Sequence, residues 1–308
     1  MSGEAQRFLE RAQHFYEMGH YDGAIDQLKR ALTDDPDLAE AHAWLALCLL
    51  RKRRLHAAVV EAGLAITLGP ELMLSHWVAA EVALAKRDFK SAGQHIDILL
   101  AESPENPVVH RLKARWLTLT GKRAERLPVL EQAQRLAPDD PETLAALSSH
   151  YADVGQAERA RQLAEDALRI EPENHSALVA MGWALLLHGD KQGAREHAIE
   201  ALRADALAPD ALALLTSIKT RSNPLLGAWW HYATWMERIG QTRSVIVLLT
   251  AFVAYRLGVI IANQEGATGL ATGIQIAWLA IVVYSFVGPI IFRKALRREL
   301  ESIELRRF

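Results

Sequence analysis

Two regimes of apolar patterning divide the chain. Over roughly the first 220 residues, apolar positions recur on one face of short segments such as Ala5–Met18 and Tyr21–Thr33, the spacing of paired amphipathic helices. From Ser244 the periodicity is lost. Residues Ser244–Ala262 are nearly all apolar, with Arg256 as the only charge, and Leu270–Phe292 carries no charge at all. These 19 and 23 residues extend about 28 and 34 Å as helices, which matches a hydrocarbon core of about 30 Å. Two transmembrane helices are expected, spanning about 244–262 and 270–292, closed into a hairpin by a short loop containing Gly266 and Gly269.

The first regime is periodic at longer range. Pro36, Pro70, Pro104, Pro138 and Pro172 are each 34 residues apart. Other rows keep the same register. Five positions before each proline stand Ala31, Ala65, Leu99, Ala133 and Ala167; twelve before, Ala24, Ala58, Ala92, Arg126 and Ala160. Twenty-four before stand Ala12, Ala46, Ala80, Ala114 and Ser148. Seventeen before stand Gly19, Arg53, Arg87, Gly121 and Gly155. A sixth unit keeps Gly182, Gly189, Ala194 and Ala201 but has Ala206 in place of proline. Small residues belong where helix axes approach closely, the glycines supply a left-handed turn, and the proline ends a helix. Arg53, Arg87 and Arg126 break the small-residue rows, so less regular packing is expected around them.

Period, rows and terminal proline together resemble the tetratricopeptide repeat (TPR) family over roughly residues 5–208. The resemblance implies an all-α solenoid of about six helix–turn–helix units, since one unit cannot bury its apolar face alone. Residues 209–220, with Leu212, Leu214, Leu215 and Ile218, are expected to cap it, giving a domain over 5–220. The resemblance also implies a concave face lined by the first helix of each unit. Projected onto this sequence, that face contains Leu47, Leu50, Trp77, Glu81, Leu84, Arg111, Arg115, Trp183 and Leu186. Such a face is expected to bind a peptide or a partner helix. Arg111 and Arg115 are four apart on one helix face, the spacing of a carboxylate clamp. The alternative is that these side chains are core or solvated. The Lys/Asn/Lys/Arg clamp of chaperone-binding TPR proteins has no counterpart in the first three units.

His42, His76 and His110 share one repeat position. One repeat of translation separates them too widely to share a metal ion, and no H-E-x-x-H or Cys/His cluster is present. Structural histidines and no metal are therefore expected. Cys48 is the single cysteine, so no internal disulfide forms. Arg51–Arg54 is a basic run expected at a solvated turn, with a phosphate or lipid-headgroup contact as the alternative. There is no glycine-rich phosphate loop, no G-x-S-x-G and no recognisable Ser/His/Asp arrangement, so neither enzymatic activity nor a cofactor is expected.

Around the apolar segments, residues 221–241 hold Trp229, Trp230, Tyr232 and Trp235, the mixture expected of an interfacial helix, with a Trp-rich capping helix as the alternative. Ala254, Gly258 and Ala262 in one span, and Gly269, Gly273 and Ala277 in the other, form small-residue stripes that let helices approach in lipid. Hairpin closure is their simplest use, homo-oligomerisation the rival. Arg256 is expected to snorkel to headgroups; a partner such as Gln275 or Tyr284, or a subunit contact, is the alternative.

Composition first suggests an ordinary soluble protein, with 308 residues, 50% apolar, 23% charged and a net charge of −2. Charge changes that picture. Residues 221–308 carry ten basic and five acidic residues, whereas residues 1–220 carry 25 and 32. An acidic first part argues against nucleic-acid binding. The basic residues flank the spans at Arg238, Arg243, Arg293, Lys294, Arg297 and Arg298, and the loop has none. By the positive-inside rule both ends, including a basic tail over 294–308, face the cytoplasm. The N-terminus lacks a signal-peptide pattern. The expectation is an integral protein of a membrane, by its layout a bacterial inner membrane, that presents a cytoplasmic adaptor to protein partners and contacts lipid. The alternative is a structural subunit of a membrane complex assembled through the hairpin at 243–293.

Overall fold

The computed structural model describes the backbone of residues 3–204, 208–222, 241–279 and 282–283. No strand occurs among the described residues. The chain forms two compact units, Met1–His150 and Tyr151–Phe308. The first contains α1 (Gly3–Glu17), α2 (Tyr21–Asp34), α3 (Ala39–Arg51), α4 (Leu55–Leu68), α5 (Met73–Lys86), α6 (Phe89–Glu102), α7 (Pro107–Leu119) and α8 (Arg126–Leu136). It ends within α9 (Pro141–Asp153). The second contains α10 (Ala157–Ile170), α11 (His175–His188), α12 (Lys191–Ala204), α13 (Pro209–Ser222), the helix Gln241–Gln264 and helical residues 268–279.

In the first unit helices pack as antiparallel pairs, α1 on α2, α3 on α4, α5 on α6 and α7 on α8. Each pair then packs on the next through α2–α3, α4–α5 and α6–α7. The small-residue rows are the contact points. Ala24, Ala58, Ala92 and Ala160 are fully buried, and so are Ala31, Ala65, Ala133 and Ala167. A methyl group there lets two helix axes approach closely at little side-chain entropy cost. The five register prolines sit in the turns after α2, α4, α6, α8 and α10.

The left-handed turn is present even where glycine is not. Gly19, Gly121, Gly155 and Gly189 have φ between 74° and 88°, and Arg53 and Arg87 adopt 58° and 64°. The geometry of the helical pair thus overrides a local preference costing about 1–2 kcal/mol. Arg126 has a different effect. It occupies an alanine position, is buried, and donates from Nε to His150 Nδ1 (3.1 Å) and from Nη1 to Thr118 Oγ1 (3.1 Å). There the second helix opens on a 3-10 turn, Arg123–Glu125, and α8 shortens to 11 residues.

In the second unit α11, α12 and α13 enclose a core that includes Leu186, Ala194, Ala201, Leu202, Leu214, Leu215 and Ile218. Farther along, the helix Gln241–Gln264 and residues 268–279 are joined by a turn in which Gly266 has φ 73°. Val259, Ala262 and Ala271 are buried between them, and Tyr255 stacks on Trp278 at 4.9 Å and 11°. Gly258 faces Ile274, which lies 3.7 Å from where a Cβ would stand, whereas Ala254, Gly269, Gly273 and Ala277 are exposed. The first stripe therefore divides between hairpin contact and surface, and the second faces outward.

Among the described residues no helix is long and apolar enough to cross a membrane. Side chains in Gln241–Gln264 are described from Leu249 onward, and most of 280–292 lies outside the described residues. Trp229, Trp230 and Trp235, and the tail at 294–308, also lie outside them.

Candidate functional site: a groove along the first helices

The stacking of the first unit brings one face of α1, α3, α5 and α7 into a row. Positions 34 residues apart align, so Tyr16, Leu50 and Leu84 form one column, and Leu47, Glu81 and Arg115 another. Between them lies a cleft of about 510 Å³ lined by Tyr16, Trp44, Leu47, Leu50, Arg51, Leu74, Trp77, Glu81, Leu84, Ala85, Arg115 and Leu119.

Its floor is aromatic and aliphatic. Tyr16 meets Trp44 edge-on at 5.2 Å and Tyr21 at 5.4 Å. The Tyr16 hydroxyl accepts from Arg51 Nε at 3.1 Å. Burial raises the ionisation of that phenol above its usual range, and Arg51 opposes this without reversing it. Across the cleft Arg115 donates to Glu81 at 2.5 Å. Two guanidinium groups and one carboxylate thus sit on an otherwise apolar surface. Arg115 is about half exposed, whereas Glu81 is mostly covered.

Of the residues expected on the concave face, Leu47, Leu50, Trp77, Glu81, Leu84 and Arg115 line this cleft. Arg111 points elsewhere, donating to Asp140 and to Thr143 Oγ1 (3.3 Å), where Asp140 also caps α9 through Thr143 N at 3.0 Å. Each arginine of the expected clamp already holds a carboxylate of its own chain, from opposite neighbouring repeats. In the second unit Leu186 is 2% exposed and lies inside the core, with Trp183 packed partly buried against it. Sequence reasoning overlooked Tyr16 and Trp44 and took Arg51 for part of a solvated basic turn; the signal for Tyr16 was its place 34 residues before Leu50.

The histidine row has a structural task. Nε2 of His42, His76 and His110 lies 2.9, 2.8 and 2.7 Å from the carbonyl oxygen of Pro36, Pro70 and Pro104. A carbonyl only accepts, so Nε2 is the donor. Each histidine ties the proline turn to the helix that follows it. Nδ1 of His42 meets Glu61 at 2.6 Å; Nδ1 of His76 meets Nδ1 of His95 at 3.0 Å, the same pair one repeat on. No group of three His, Cys, Asp or Glu able to hold a metal ion occurs among the described residues. Cys48 is buried, and burial pushes its thiol up to about 12, so it is unreactive.

Residues 9–72 match a family model described as tetratricopeptide repeat, and residues 82–208 one described as Psidin, N-terminal TPR repeats region. Among solved structures, the APC/C hetero-tetramer Cut9-Hcn1 aligns at 14% identity with a TM-score of 0.58, over 70% of this chain and 43% of that one. This chain therefore spans less than half of that relative's length. PilW, a widely conserved type IV pilus biogenesis factor, aligns at 15% identity and TM-score 0.54, over 70% of this chain and all of that one. A tetratricopeptide repeat protein from Parabacteroides merdae aligns at 14% identity and TM-score 0.51, over 80% of this chain and 97% of that one. No curated protein matches the sequence. At these identities the likeness shows the fold. The two family matches, the 34-residue register and the paired helices agree that residues 9–72 and 82–208 of this chain are similar to tetratricopeptide repeats.

Proposed function

We propose that this chain is a membrane-attached scaffold that binds a segment of a protein partner along the Tyr16–Leu119 groove. TPR folds are in general protein-interaction scaffolds. The observation that carries the reading is the groove itself, in which aromatic anchors, aliphatic walls and a half-exposed arginine are collected on four successive first helices. A partly buried aromatic floor with a charged rim is the composition of an interaction hot spot. The expected ligand is a segment with apolar anchors and an acidic group that competes with Glu81 for Arg115. Crosslinking purification with the full-length protein tests this. A partner captured by wild type and lost from both Trp77→Ala and Arg115→Glu supports the groove; capture unaffected by both refutes it.

Membrane attachment rests on the C-terminal hairpin. Leu249, Phe252, Leu257 and Ile261 on one helix, and Leu270, Ile276 and Leu279 on the other, are 48–63% exposed. Water is a poor solvent for that much contiguous apolar surface, and lipid is a good one. The basic residues flanking the hairpin support placing the repeats on the cytoplasmic side. The outward stripe of Gly269, Gly273 and Ala277 supports a second reading, in which the hairpin also packs against another membrane subunit. Exchange of the hairpin for an unrelated anchor separates the two. Retained partner capture supports the groove as the specific site, and lost assembly supports the subunit.

A further inference from the structure

The basic run Arg51–Arg54 leads from α3 into α4, and its members have different places. Lys52 donates to Asp22 at 2.7 Å. Arg53 occupies the left-handed turn, with φ 58°. Arg54 stands just before the first residue of α4. Arg51 alone of the run lines the cleft.

The guanidinium of Arg51 is oriented from one side only. Its Nε donates to the Tyr16 hydroxyl at 3.1 Å, and its Cζ lies 6.0 Å from the centre of that ring. Tyr16 is in turn held edge-on between Trp44 and Tyr21. Engagement through Nε leaves the two terminal nitrogens, whose parallel N–H bonds match the two oxygens of a carboxylate. Among the described residues no carboxylate forms an ion pair with Arg51. Glu81, the one carboxylate among the residues lining the cleft, acts on Arg51 through space and bonds Arg115 instead.

The neighbouring polar groups are donors as well. Burial holds the Tyr16 phenol in its neutral form. Its oxygen accepts from Arg51, and its own proton has no acceptor among the described residues. The indole N–H of Trp44, whose ring lines the same cleft, is buried and likewise without an acceptor among them. At the α1–α3 end of the cleft the free polar groups are therefore all donors, set among Leu47, Leu50 and Trp77. The complement of such a surface is an anionic acceptor flanked by apolar side chains.

We propose that Arg51 and Tyr16 form an anion subsite of the groove that takes an aspartate or glutamate side chain of the bound partner segment. The subsite rests on the groove as a partner-binding surface, and it gives the ligand a second acidic position, distinct from the one that meets Arg115 on α7.

A displayed library of random linear peptides, selected on the full-length protein in detergent micelles, tests this. Peptides retained by wild type and lost from Trp77→Ala are groove ligands. These are expected to contain an Asp or Glu whose change to Asn or Gln weakens binding to wild type about tenfold or more and has no further effect on Arg51→Met. Arg51 is exposed, so Arg51→Met leaves the fold intact by circular dichroism. Tyr16→Phe keeps the ring and removes only the hydroxyl, and it is expected to weaken the same peptides severalfold. Arg51→Lys, which keeps the charge and loses the fork, is expected to bind them less tightly than wild type. Groove peptides that bind Arg51→Met as tightly as wild type, or whose acidic residues couple only to Arg115→Met, overturn the subsite and leave the groove standing. Equal peptide binding by both, with Arg51→Met retained less than wild type on phosphatidylglycerol vesicles, assigns Arg51 to a lipid headgroup and also overturns it. Failure to select any Trp77-dependent peptide overturns the groove reading itself, and the subsite with it.

Discussion

Arg53 and Arg87 hold backbone angles that four other turns of the array assign to glycine. An L-residue there has its Cβ crowded by the following carbonyl, at a cost of about 1–2 kcal/mol, and glycine gives part of that back as unfolded-chain entropy. Arg87→Gly is therefore expected to raise stability by about 0.5–1 kcal/mol, read as a higher urea midpoint with an unchanged slope. No change would mean that the arginine side chain compensates for its backbone. Histidines give a second residue-scale prediction. Burial, with the neighbouring His76 second, lowers the proton affinity of His95 below its ordinary value of 6.5. His197 is lowered in the same direction, by burial against the opposing pull of Glu196, Glu200 and Asp190. The unfolded chain then binds protons more readily than the folded one, so stability is complete above pH about 6.5 and falls as pH drops through the region below it. The melting temperature should decrease between pH 7.5 and 5.5, and His95→Gln should reduce that decrease. An identical decrease in the variant would assign the effect to other groups.

At the scale of the helix and the repeat, much of the array was legible because one physical requirement recurs every 34 residues. Ala58 and Ala92 are buried for the same reason, so their row in the sequence was already a statement about helix crossing. The groove was legible to the extent that it follows columns, which is why Leu47, Glu81 and Arg115 lie together. Two features were not legible. Arg111 and Arg115 share a helix face, but their carboxylates, Asp140 and Glu81, come 29 and 34 residues away in opposite directions, and no local spacing reveals that choice. Leu186 holds the same repeat position in the sequence as Leu50 and Leu84, yet α13 packs on α11 and closes the core over it. That closure depends on Gly182, where a Cβ would stand 2.3 Å from Leu214 Cδ2 and 3.3 Å from the Ala194 carbonyl. Leu214 is fully buried and has little room to retreat. Gly182→Ala is expected to destabilise the second unit by about 1–3 kcal/mol, with faster hydrogen exchange in α13. Unchanged exchange there would mean that the core repacks at no cost.

At the scale of the whole molecule, the near-neutral total of −2 is a cancellation. Residues 1–220 sum to −7 and residues 221–308 to +5, with the basic residues collected on either side of the apolar hairpin. An anionic membrane surface attracts the second set and is indifferent or repellent to the first, so the proposed arrangement fixes an orientation as well as an attachment. Both flanks of the hairpin then lie on the side that carries the repeats, and the turn around Glu265 and Gly266 lies on the other. A cysteine placed at residue 265 reports this directly, because Cys48 is buried within the array and does not compete for reagent. In sealed right-side-out vesicles, a membrane-impermeant maleimide is expected to label Glu265→Cys from outside. A cysteine at Arg293 is expected to be labelled only after the vesicles are opened, and the chain should resist carbonate extraction. Reversing the flank, with Arg293, Lys294, Arg297 and Arg298 changed to Glu, is expected to reduce the fraction of chains labelled at 265. Labelling at 265 and 293 with equal access, or release of the intact chain by carbonate, would leave the hairpin a surface-bound or protein-bound element and remove the membrane from the proposed function.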